Sequence, residues 1–171
     1  MMKLLAFVVF ALTTFKSSAQ SILQVEDIKR SIGKDISFFE STLLPKEFTD
    51  SKGLTDIAED MAKKINLELG SKYKGKGYSH ADNYASMIVY DSNDKTVLLQ
   101  FGTKKPKKDE MKGITTCLTN LGYKKTSDKK SDNGEFNLRS YHKDNIDFSL
   151  ASYFNGGYTL TGYFLPYLVE K

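Results

Sequence analysis

The stretch ASMIVYDSNDKTVLLQF, residues 85–101, decides how this chain is read. Residues 85–90 and 96–101 are two arms rich in β-branched, aromatic and long aliphatic side chains, which suit a pleated surface. Between them Asp91, Ser92, Asn93, Asp94 and Lys95 carry turn chemistry. Pairing Tyr90 with Thr96 sets Val89 against Val97, Met87 against Leu99 and Ala85 against Phe101. Ile88 then meets Leu98 on the other side. Both sides are apolar at the middle, so the hairpin is expected to be covered on both faces. It should stand at the centre of one antiparallel sheet.

Toward the C-terminus, Thr103 to Lys108 reads TKKPKK, a basic loop, and Asp109 is a natural N-cap. Ile114, Cys117, Leu118 and Leu121 then recur at helical spacing. Gly122 followed by Tyr123 has the form of a Schellman ending. Lys124, Lys125 and Thr126 fit a short edge strand guarded by lysine, and residues 128–134 read as a turn. Three strands are expected at 135–142, 146–154 and 158–165. A loop of Lys143, Asp144 and Asn145 pairs His142 with Ile146 and aligns Phe136 and Leu138 with Ile146, Phe148 and Leu150. A loop of Asn155, Gly156 and Gly157 pairs Phe154 with Tyr158, so Leu150 faces Gly162 and Phe148 faces Phe164.

Toward the N-terminus, Leu54, Ile57, Met61 and Ile65 form a helical stripe closed by Gly70. Val25, Ile28, Ile32, Ile36, Phe39 and Leu43 form another, on one helix over residues 24–43 that Pro45 ends. Gly33 weakens that helix by about 1 kcal/mol relative to alanine. Residues 71–83, SKYKGKGYSHADN, read as a solvated connector. The expected fold is therefore α+β. It has an antiparallel sheet of five or six strands, two N-terminal helices, and one helix inserted between the hairpin and a C-terminal three-stranded meander.

The first residues are of another kind. Met1, Met2 and Lys3 precede a 12-residue apolar run, LLAFVVFALTTF, and then Ser17, Ser18 and Ala19. This is the pattern of a secretory signal peptide over residues 1–19, leaving one domain at 20–171. The apolar run is shorter than the roughly 20 residues a spanning helix needs, so no membrane span is expected after cleavage. The full chain carries 25 Lys and Arg against 21 Asp and Glu, +4; without Lys3 and Lys16 it is 23 against 21, +2. That balance implies no polyanionic partner. The arginines are Arg30 and Arg139, and bidentate phosphate reading favours arginine, so nucleic acid is not an expected partner. Cys117 is the one cysteine, so an internal disulfide is impossible and stability must come from the core.

Catalytic motifs are absent. Gly75-Lys76-Gly77 lacks the spacing of a phosphate loop. Asp91, Asn93 and Lys95 depart from a calcium loop at the third ligand. His80 and His142 are the two histidines; with Cys117 on an apolar stripe they make a poor metal set. No motif requires a cofactor. The expected function is a non-enzymatic binding or protein-interaction module, secreted or periplasmic, whose partner is another protein or a small ligand. The alternative is a small secreted hydrolase using His80 with Asp82, or His142. The expected contact surface is the sheet face away from Phe136, Leu138, Phe148, Leu150 and Phe164. Under the registers above it gathers Arg139, Tyr141, Asp147, Tyr153 and Tyr163, aromatic anchors around one arginine and one carboxylate.

Overall fold

A computed structural model describes residues 25–44, 48–70, 72–132 and 134–164. The expected segment 1–19 lies outside them. Strands β3 (Tyr84–Tyr90) and β4 (Thr96–Thr103) form the expected hairpin. The Asp91 carboxylate accepts the N–H groups of Asn93 and Lys95, each at 2.9 Å, and Asp94 takes the left-handed conformation at φ 60°. Tyr90 opposes Thr96 as the sequence predicts, but the ladder then shifts by one residue, so that Val89 opposes Leu98 and Ile88 opposes Leu99. Val97 is thus the extra residue of a β-bulge. Ile88, Leu99 and Phe101 enter the larger core cluster; Val89 and Val97 enter a second one on the other side.

The sheet has eight strands, all antiparallel, in the order β1-β2-β3-β4-β8-β7-β6-β5. Here β1 is Phe48–Asp50, β2 is Lys74–His80, β5 is Lys124–Lys130, β6 is Phe136–Lys143, β7 is Ile146–Tyr153 and β8 is Tyr158–Phe164. The expected five or six strands are therefore too few. Strand β5 runs to Lys130, through residues the sequence reads as the start of a turn. Strand β2 occupies the supposed connector, and its glycines explain both the misreading and the structure. A Cβ on Gly75 would lie 2.2 Å from the carbonyl carbon of Ala58, and one on Gly77 would lie 2.3 Å from that of Leu54. Both residues belong to α3 (Lys52–Leu69). The glycines are the space that lets this helix lie against the strand. The buried face of α3 accordingly centres on Ala58 and Ala62, while Ile57 is 51% exposed. Gly70, at φ 68°, ends the helix as expected.

The single helix expected over residues 24–43 is also corrected. Helix α1 (Val25–Ser31) stops before Gly33, whose φ is +78°. Gly33 N–H donates to Thr96 O at 2.8 Å, Thr96 N–H to Lys34 O at 2.8 Å, and Ile36 N–H to Asp94 O at 2.9 Å. These residues give their main chain to the end of the central hairpin, which a continuous helix would forbid. A short α2 (Ile36–Phe38) follows and runs into a π-helical turn, Phe39–Leu43. Val25, Ile28, Ile32 and Phe39 are buried all the same.

Helix α4 (Glu110–Asn120) carries the chain from β4 to the far edge, and β5 to β8 return strand by strand to pair with β4. Its end is the Schellman pattern: Tyr123 N–H to Leu118 O, Gly122 N–H to Thr119 O, and Gly122 at φ 84°. Buried residues of α1, the π-helical turn and α4 share a cluster with Phe101, Leu160, Leu150 and Phe148, on one face. Helix α3 lies on the other face, over β2 and β3. No helix among the described residues is long and apolar enough to cross a membrane.

Register decides the faces of the C-terminal half. A two-residue turn, Asp144-Asn145, pairs Lys143 with Ile146, in place of the expected three-residue loop. Asp144 has φ 55°, as the first position of a tight primed turn requires. That one-residue change moves every side chain of β6 to the other face. Tyr141 now opposes Phe148, and Arg139 opposes Leu150; Phe136 and Leu138 oppose Tyr153 and Ala151. Tyr141 is 3% exposed, so it fills the core place expected for the Phe136 and Leu138 set. Between β7 and β8 the parity holds with an offset of two: Phe148 opposes Gly162 and Leu150 opposes Leu160.

Candidate functional site

The two halves of the sheet are covered unequally. On the α3 side, the cluster that joins Met61, Ala62 and Ile65 to Val89, Val97 and Leu98 includes no residue of β5, β6, β7 or β8. The registers lay out that face in rows. One runs His142, Asp147, Tyr163, Leu98; the next Ser140, Ser149, Thr161, Gln100; the next Leu138, Ala151, Thr159, Gly102; and Phe136 stands opposite Tyr153. Apart from Gln100 and Leu138 the middle rows carry small side chains, so the floor is shallow there, and aromatic groups stand at both ends. Phe136 and Tyr153 have ring centroids 6.1 Å apart, and the Tyr153 hydroxyl lies 3.3 Å from Thr159 Oγ1. Phe154, at the end of β7, is 92% exposed.

At the opposite end is a polar cluster. His142 Nδ1 lies 2.5 Å from Asp147 Oδ1. Tyr163 interacts electrostatically with Ser149 and Asp147. Burial first, and then the charge of Asp147, push the Tyr163 hydroxyl above its ordinary value, against the opposing effect of Ser149. Asp147 is the hub of this cluster, with its side chain 17% exposed. A carboxylate fixed by two neighbours is a rigid acceptor with lone pairs to spare.

Three of the five residues expected on one surface do share it: Asp147, Tyr153 and Tyr163. Arg139 and Tyr141 do not. Arg139 lies on the helix side, with Nε 3.5 Å from Asp128 Oδ2, and Tyr141 is in the core. Their place on the open face is taken by Phe136, Leu138 and His142. The sequence signal for this was the Asp144-Asn145 pair, which favours the two-residue turn. His80 is elsewhere: its Nδ1 accepts the main-chain N–H of Asp82 at 3.0 Å, and its ring stands 5.1 Å from that of Phe48. Strands β2 and β6 are five steps apart in the sheet, about 24 Å at the usual strand spacing, so His80 and His142 do not share a site.

Two further carboxylates lie on the helix side, Glu110 enclosed and Glu40 part-exposed, and both accept hydrogen bonds from neighbours. Glu110, 1% exposed, accepts from the Tyr158 hydroxyl at 2.8 Å, the Tyr84 hydroxyl at 3.1 Å and Lys107 N–H at 2.9 Å. It ties α4 to β3 and β8. Glu40, in the π-helical turn, accepts from Lys76 Nζ and the Tyr78 hydroxyl, each at 2.6 Å. Burial works against its charge, but the Lys76 and Tyr78 hydrogen bonds prevail and hold the carboxyl below its ordinary value. Among the described residues no three of His, Cys, Asp and Glu gather as a metal site. No family model, curated protein or solved structure matches the chain.

Proposed function

We propose that this protein is a non-enzymatic binding module, exported by a signal peptide removed after Ala19, that holds a partner protein on the open face of β6, β7 and β8. One observation carries the reading: Phe136, Leu138, Tyr153 and Tyr163 stand on the α3 side of the sheet but outside the cluster that α3 forms there. Apolar and aromatic groups gathered on one face favour contact, because a partner removes their area from water and the rings are already rigid. The His142–Asp147 pair at one end adds directed hydrogen bonds, which fix orientation. Capture of a partner from the native extracytoplasmic fraction tests it. Tyr153→Ala together with Tyr163→Ala should weaken that partner's binding at least tenfold, roughly 1.4 kcal/mol. Unchanged affinity would place the contact elsewhere. Mass spectrometry of the exported chain should show Gln20 as its first residue.

The second reading is a small exported hydrolase. The short His142–Asp147 contact favours it, since a carboxylate that orients an imidazole readies it as a general base. His142→Ala abolishing hydrolysis of a simple ester by the purified chain would support this reading; activity surviving that change would end it.

A further inference from the structure

The two edges of the sheet are built differently. One ends in β1, only three residues long. The other ends in β5, seven residues, whose outer main chain faces no strand among the described residues. Shortness blunts the first edge against pairing with another chain; the second relies on charge. Its sequence is KKTSDKK. The single acid, Asp128, is occupied by Lys125 at 3.0 Å and Arg139 at 3.5 Å. Lys124, Lys129 and Lys130 have no ion-pair partner among the described residues.

Register places these charges on both faces. Lys124 opposes His142 and Lys129 opposes Leu138, on the open face; Lys125 opposes Tyr141 and Lys130 opposes Asn137, on the helix face. Each end of β5 therefore carries one lysine on each face, and the middle is neutral once Asp128 is paired. Two copies of this edge repel each other. Thr126 is the extra residue of a bulge, so antiparallel pairing centred on Ser127 would set Lys124 against Lys129, and pairing centred on Asp128 would set Lys125 against Lys130; like charges directly opposite are destabilising. A strand with the reverse pattern meets the opposite sign at both ends, whichever direction it runs.

We propose that β5 is a docking edge for an extended acidic peptide of a partner protein, which adds as a ninth strand. Main-chain hydrogen bonds to the outer side of β5 hold it, and two carboxylates at each end meet the lysines. With Thr126 bulged out, two ladder positions separate the lysine pairs, so the recognised pattern is two acids, two small uncharged residues, then two acids. This inference goes beyond the open face: the peptide runs along the edge, so Tyr153→Ala and Tyr163→Ala leave it unchanged.

The test uses the full mature chain and a fluorescein-labelled peptide, Glu-Glu-Ser-Thr-Glu-Glu, followed by anisotropy. Saturable binding is expected, weakened roughly two- to fivefold by each of Lys124→Gln, Lys129→Gln and Lys130→Gln. Two isomers methylated on alternate amide nitrogens separate strand addition from charge attraction. One isomer should bind at least about tenfold more weakly, because it blocks the amides that face β5. Equal affinity of both isomers would overturn the proposal; that result is the one expected for a nucleic acid or an anionic membrane, which needs charge alone. Absence of saturable binding would overturn it as well.

Discussion

Strands β2 and β3 are covered on both faces, and β6 to β8 on one. Strand propensity does not separate them, since both are rich in aromatic and β-branched residues. The difference lies in what each presents toward the α3 side. Strand β2 offers Gly75 and Gly77, and α3 lies against its backbone. Strands β6 and β7 offer Phe136, Leu138 and Tyr153, which project instead of making room. A covered face is made by removing side chains as much as by supplying apolar ones.

The largest effect should come from filling that space. Gly77→Val drives a branched side chain into the α3 backbone, where nothing flexible can yield, and should cost about 3 kcal/mol or more. Ser149→Val, the matching change on the open face, should shift stability by no more than about 0.5 kcal/mol. Thermal or denaturant unfolding of the two variants breaks the comparison if their losses are alike.

Leucines give a second contrast. Leu99 is fully buried and Leu138 half-exposed. Leu99→Ala should cost about 2–5 kcal/mol and Leu138→Ala about 1 kcal/mol or less. A Leu138 loss as large as that of Leu99 would mean that the face is covered in solution.

The smallest effect is electrostatic and lies in the enclosed half. The folded-state carboxyl of Glu40 is held below its ordinary value of 4.5 by Lys76 and Tyr78. A depressed carboxyl contributes stability that is fully present above the unfolded value and is lost as pH falls through the folded one. With a third of its side chain exposed, screening limits this to about 1 kcal/mol or less. Glu40→Gln should therefore flatten the loss of stability as pH falls below the carboxyl's ordinary value of 4.5. An unaltered acid limb in urea titrations would remove Glu40 from that account.

Much of this was legible in sequence. The central hairpin, the α4 stripe, the Gly122 ending and the Gly70 stop each rest on local chemistry. Three features were not, each for a physical reason. Gly75 and Gly77 look like a loop because the side chains that justify them belong to α3, far along the chain. Gly33 breaks a helix because its main chain pairs with Thr96, a tertiary bond that periodicity cannot show. At the candidate site, Tyr141 and the Phe136–Leu138 set compete for the core face, and hydrophobicity alone favours the wrong pair. The turn Asp144-Asn145 settles it, and with it the membership of the open face.

That register is what the account stands on, and cross-strand NMR contacts between β6 and β7 test it directly. Backbone proton contacts should join His142 to Asp147 and Ser140 to Ser149. Contacts joining Tyr141 to Asp147 and Ser140 to Phe148 would contradict it, returning Tyr141 to the open face and Phe136 and Leu138 to the core.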